Sequence, residues 1–173
     1  PNKYRQKKLD RYETYIKSLK AQNIEPESID KTISEAVDNI KIKKARSFVI
    51  YGEPQSGKTS MMIGLTAKLL DQGHKLIILL VQDNLDLLTQ NSLRFQQSTL
   101  RPSPKTHKEV LPNDVQIKDR EFVIICKKNT SNLKDLIKKL DNIENKIIID
   151  DEADFASPNS KVNKVDESGE QDR

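Results

Sequence analysis

Cysteine is almost missing from these 173 residues; Cys126 is the single one. No internal disulfide can form, so a reducing, cytoplasmic compartment is expected. Tryptophan is absent, tyrosine and phenylalanine number four each, and His74 and His107 are the only histidines. With Cys126 inside an apolar run, these few residues cannot assemble a cluster of metal ligands of the zinc type. No apolar stretch approaches the roughly 18–20 uncharged residues of a membrane-spanning helix, so no membrane partner is expected. The first residues, Pro1-Asn2-Lys3, carry neither an initiator Met nor the apolar block of a signal peptide. A segment cut from something longer is the expectation there.

What is present suits one domain of ordinary size with a helical addition. The hydrophobic share is 35%, which is low, and the shortage lies at the two ends, so the core must sit in the middle. A net charge of +4, from 30 Lys and Arg against 26 Asp and Glu, is compatible with a nucleic-acid partner without establishing one.

The order of elements follows from hydrophobic spacing. Residues 3–20 read as a charged helix carrying Leu9, Tyr12, Ile16 and Leu19 on one face. Pro26 interrupts it, because the residue before a proline is steered away from helix. A second helix is expected from about Ser28, with Ile29, Ile33, Ala36, Val37 and Ile40 on one side. Ser47 to Tyr51 reads as a short buried strand. A helix follows from Lys58 to about Asp71, closed by Gly73 in the position where helices commonly end on glycine. Residues 75–81 form a near-continuous apolar run, the mark of a parallel strand covered on both faces. Further helices are expected over 85–97 and 132–143, and further strands over 121–126 and 146–150. The three prolines at 102, 104 and 112 argue for a long loop between them. Alternation of strand and helix predicts an α/β fold with a mostly parallel sheet and helices on both faces.

Gly52-Glu53-Pro54-Gln55-Ser56-Gly57-Lys58-Thr59 fills every fixed position of the pattern G-x-x-x-x-G-K-[ST]. The chemistry explains the spacing. Backbone N–H groups of such a loop surround a phosphate, and the helix that follows adds its positive end. Lys58 is expected to reach the β- and γ-phosphates, Thr59 to ligate Mg²⁺, and Ser60 to extend the nucleotide-binding run. A chance resemblance in a strand–helix turn is the bland alternative, and the flanking elements weigh against it.

About 90 residues later, Ile147-Ile148-Ile149 leads into Asp150-Asp151-Glu152-Ala153-Asp154. An apolar strand delivers these acids to the sheet edge where ligands of open α/β folds bind. Asp151 is expected to hold the metal, and Glu152 to act as the general base on the attacking water, with Lys58 as its catalytic partner. The alternative is a solvated acidic turn; the complete phosphate loop upstream makes it the weaker reading.

Asp151-Glu152-Ala153-Asp154 is the D-E-A-D string of superfamily-two helicases. The wider set, Gly52 to Thr59 with Gly64-Leu65, Asn91-Ser92-Leu93-Arg94 and Ile149 to Asn159, resembles the "Z-one" ATPase domain. That domain belongs to restriction-endonuclease-like and phage or bacterial defence proteins. Ser28-Ile29-Asp30 is similar to its lead-in helix. The resemblance spans about residues 28–159 and implies a RecA-like P-loop domain, ATP and Mg²⁺ as cofactors, and a DNA-acting motor. It also implies a second RecA-like domain in the same polypeptide, often with a nuclease. Neither a Ser/Thr-Ala-Thr motif nor a second domain follows the acidic box here, so the front portion of such an enzyme is expected. No adenine-reading glutamine motif is found, which weakens an RNA-helicase reading.

The resulting division is a helical extension over 1–44, a RecA-like ATPase domain over 45–158, and a polar tail over 159–173. Gln82-Asp83-Asn84 falls where superfamily-two proteins place a nucleic-acid-contacting loop. Asn91, Arg94 and Lys105 are candidate nucleic-acid contacts, with His107 and Lys108 in the same loop as Lys105. The basic cluster Lys41, Lys43, Lys44 and Arg46 is as readily a solvated face. The rival function is a nucleotide-binding switch with little turnover; a base at Glu152 favours hydrolysis.

Overall fold

The computed structural model describes residues 10–51, 57–115 and 120–152. Two helices open it, α1 (Arg11–Ala21) and α2 (Glu27–Lys41). Asp10 caps α1 by accepting from the Glu13 amide at 3.0 Å, and that bond holds its carboxyl below the usual range. Asn23, at φ +57°, ends the helix: its amide bonds Lys20 O and the Ile24 amide bonds Leu19 O. The inner face is Tyr12, Tyr15 and Leu19, with Ile16 only half-buried. On α2 the expected Ile29, Ile33, Ala36 and Val37 are all buried.

Both helices lie on α3 (Lys58–Asp71), and they share one hydrophobic cluster with it and with the sheet. Gly64 permits the approach. A Cβ there would lie 2.6 Å from Ile33 Cδ1, in a place with no free room. Arg11 links α1 to the rest, pairing with Asp71 at the end of α3 and with Glu121. Gly73, at φ +92°, closes α3 with the same two-bond ending that Asn23 gives α1.

The sheet follows: β1 (Leu76–Val81), α4 (Leu85–Gln97), β2 (Lys105–Thr106), the one-turn α5 (Pro112–Val115), β3 (Phe122–Lys127), α6 (Thr130–Leu140) and β4 (Lys146–Asp150). Among the described residues it has four strands in the order β2-β3-β1-β4, every pair parallel. Parallel crossovers cover both faces, so the central strands have no polar side. Ile77, Leu79, Val81, Val123 and Ile125 point to α3 and the N-terminal helices. Leu76, Ile78, Phe122, Ile124 and Cys126 point to α6. This is the RecA-like α/β fold expected.

Three details depart from the sequence reading. Ser47 to Tyr51 joins no strand of the sheet: Val49 and Tyr51 are 85% and 88% exposed, and only Ile50 packs on the core. A β-branched composition favours a strand only when a ladder partner is present, and none of the described chain pairs with this run. The proline-containing loop holds a two-residue strand, β2, against β3 and the short α5. Finally, α6 runs over Thr130–Leu140 rather than 132–143; Asn129 caps its start by accepting from the Asn132 amide at 2.9 Å.

Candidate nucleotide site

Parallel pairing lines up the carboxyl ends of β1, β3 and β4 along one edge, the ligand edge of such sheets. The turns after them begin α4 and α6, and the start of α3 supplies the opposing wall.

That start is unusual in what it lacks. Gly57 precedes α3 at φ +81°, a conformation that disfavours any Cβ. Among the described residues no side chain caps the helix, and its first turn holds no acid. The first backbone bond runs from the Met61 amide to Gly57 O, at 2.9 Å. A helix start without a cap leaves amide donors for a ligand, and its dipole favours an anion. Lys58, Thr59 and Ser60 are half-buried there. Gly52, Glu53, Pro54, Gln55 and Ser56 lie outside the described residues.

Thr59 is held from the side by α4. Its hydroxyl donates to Asn91 Oδ1 at 3.3 Å and accepts from Arg94 Nη1 at 3.1 Å. Asn91 is only 8% exposed, so it does not present itself to a nucleic-acid strand as expected from sequence. Arg94 is exposed but turned to the same hydroxyl. Lys105 is exposed on β2, at the far edge of the sheet from β4. His107 is buried beside Asp135, which removes it from any strand-contacting surface, whereas Lys108 is exposed.

At the opposite wall, the Asp151 amide makes the last bond to β1, to Leu80 O at 2.9 Å. Glu152 then turns the chain at φ +54°. The Asp151 carboxyl is pushed above the ordinary range, first by burial and then by the charge of Glu152; Lys58 and Lys128 oppose the shift. No hydrogen bond reaches that carboxylate among the described residues. Asp151 and Glu152 thus crowd one strand end, while Asp150 is paired with Lys128 at 2.8 Å. No group of three or more carboxylate, His or Cys ligands forms among the described residues, so Asp151 is the single carboxylate there free to meet a cation. Gln82 donates its side-chain amide to the Glu152 carboxylate. Asp83 pairs with Lys127 at 2.8 Å and accepts from Asn129 Nδ2 at 2.9 Å, while Asn84 caps α4. The 82–84 loop therefore ties the three strand ends together.

Sequence reasoning missed two residues here. From sequence alone Gln82 reads only as part of a nucleic-acid loop. Lys128 carries no signal, because a lysine pair after a strand is indistinguishable from a solvated one.

A parallel α/β sheet whose ligand edge carries a Gly-Lys-Thr helix start and an acidic strand end defines a helicase-like P-loop domain. The chain matches the family described as type III restriction enzyme, res subunit, over residues 2–169, and it belongs to that family. The domain is accordingly helicase-like, ATP-dependent and nucleic-acid-acting, within superfamily two as the motifs resemble. Comparison with curated proteins and with solved structures returns no match. Among the described residues no helix is long and apolar enough to cross a membrane.

Proposed function

We propose that this chain binds ATP and hydrolyses it with Mg²⁺, as the first RecA-like domain of a DNA-acting translocase linked to restriction or defence. The observation that carries the proposal is the start of α3: Gly57 at φ +81° leads into Lys58 and Thr59 with no side-chain cap among the described residues and no acid in the first turn. A structural helix start has no use for open amide donors beside a lysine; a nucleoside triphosphate needs both.

In this reading residues 52–60 surround the phosphates, and Lys58 draws charge from the β- and γ-groups as the transition state forms. Thr59 and Asp151 would hold Mg²⁺, whose chemistry is to neutralise phosphate charge and orient the γ-phosphoryl group. Glu152, oriented by Gln82, takes the proton of the attacking water. A second RecA-like domain would supply the arginine finger. The ATPase domain proper would span 45–158, preceded by a helical extension over 1–44 and followed by a polar tail over 159–173. Membership in a restriction-enzyme family favours DNA over RNA as partner, and the exposed Lys105 and Lys108 are the proposed phosphate contacts, since Arg94 is engaged by the Thr59 hydroxyl.

Calorimetry with MgATP tests the reading. Lys58→Ala removes the cation that neutralises the phosphates, and affinity should fall strongly. Equal affinities in wild type and variant would overturn it.

A further inference from the structure

Lys128 follows β3, yet its side chain does not leave the sheet. It crosses the end of β1 to β4 and is only 5% exposed. The ammonium finds three acceptors for its three protons: Asp150 Oδ1 at 2.8 Å, Asp151 O at 2.7 Å and Glu152 O at 2.8 Å. These are three consecutive residues, the last strand position and the two residues of the turn. Its own amide bonds Val81 O at 2.8 Å, so the lysine is anchored to β1 as well.

This placement has a consequence for the acids. After the Asp151 amide the ladder stops, and Glu152 adopts a left-handed conformation that non-glycine residues seldom hold without support. Both carbonyls of that turn point at one buried cation. With the ammonium in place, the two peptide planes are fixed, and with them the directions of the Asp151 and Glu152 side chains. Asp150 is occupied as the counter-ion and is not free for a metal.

We propose that Lys128 is the positioning residue of the acidic turn: it sets the relative placement of Asp151 and Glu152 through their backbone and touches neither nucleotide nor water. The proposal deepens the hydrolytic reading above and rests on it. Remote misplacement of a reacting group by about 1 Å can cost about 10²-fold in rate, whereas the phosphate loop lies on another element.

Two measurements on the complete protein test this. In ATP hydrolysis, Lys128→Met should lower kcat by about 10²-fold and leave KM for ATP within about threefold, the mark of a loss confined to the transition state. In the ligand-free protein, hydrogen exchange at the Asp151 amide should speed up at least about tenfold, with α3 unchanged. A folded Lys128→Met protein with wild-type kcat and wild-type exchange overturns the proposal. If Lys128→Met fails to fold because Asp150 is left charged and unpaired, Lys128→Met with Asp150→Asn relieves that charge. The double variant should still lose kcat, and a normal kcat in it overturns the proposal. Glu152→Gln separates the two ideas. Wild-type hydrolysis in Glu152→Gln would remove the base assignment, while the exchange result would still decide whether Lys128 holds the turn.

Discussion

The two walls of the site are built on opposite principles. The start of α3 offers donors, and its Thr59 hydroxyl is held from outside, between Asn91 and Arg94. The end of β4 offers acceptors and is held from inside, by a buried lysine that binds its backbone. A helix start needs little help, since its amide donors and dipole point at the ligand whatever the neighbours do. A strand end has no such direction of its own. Beyond its last ladder bond the chain can turn several ways, and carboxylates repel one another. Organised acids therefore require a partner brought from elsewhere in the sheet.

The first way to break the contrast is to remove chemistry from the acidic wall without moving it. Glu152→Gln keeps the shape and the contact to Gln82 but deletes the proposed base. ATP should still bind, and hydrolysis by the complete protein should fall by about 10²-fold or more. An unchanged steady-state rate would place the base elsewhere.

Asp151→Asn tests the charge crowding instead. The folded-state pKa of Asp151 is raised, so between the ordinary Asp value and the folded value the native chain binds more protons than the unfolded one. Stability from this group is fully retained below that window and is lost as pH rises through it. At pH 7 the ligand-free Asp151→Asn protein should therefore melt higher than wild type. The gap should shrink as pH falls through that window and level off below the ordinary Asp value, and Mg²⁺-dependent ATP affinity should drop at pH 7. Thermal melts from pH 3 to 8 decide it. A lower midpoint for the variant at pH 7 would mean that the carboxylate has a stabilising partner.

How much of this was legible beforehand differs between the walls for the same reason. The phosphate side is a local pattern: Gly57, Lys58 and Thr59 sit within one turn, and α3 and α4 occupy the spans that their apolar spacing predicts. The central strands were equally plain, because an unbroken run such as Leu76 to Val81 admits few other readings. Tertiary partnership was not legible. Ser47 to Tyr51 has a strand's composition but no ladder partner among the described residues. Ile148 sits in an apolar run like those of the buried strands, yet it is 54% exposed because, among the described residues, β4 is packed only on the side of Ile147 and Ile149. Lys128 and Gln82 act on residues some 24 and 70 positions away. No periodicity carries that information.

The mildest test distinguishes the two grips on Thr59, and it turns on sign rather than size. Asn91 receives the hydroxyl proton, which leaves the oxygen lone pairs free for a cation. Arg94 does the reverse: it donates to that oxygen, occupies a lone pair and brings a positive charge beside the proposed metal position. Asn91→Ala should therefore weaken Mn²⁺ binding in the presence of ATP by about 2- to 10-fold, the equivalent of one net hydrogen bond of about 0.5–1.5 kcal/mol. Arg94→Ala should not weaken it, and a small gain is expected from the relief of like charge. Paramagnetic relaxation of water during Mn²⁺ titration reads both variants in one assay. Equal losses in the two would mean that Arg94 and Asn91 merely brace α4 against α3. A loss in Arg94→Ala alone would assign the arginine to the phosphates instead of the threonine.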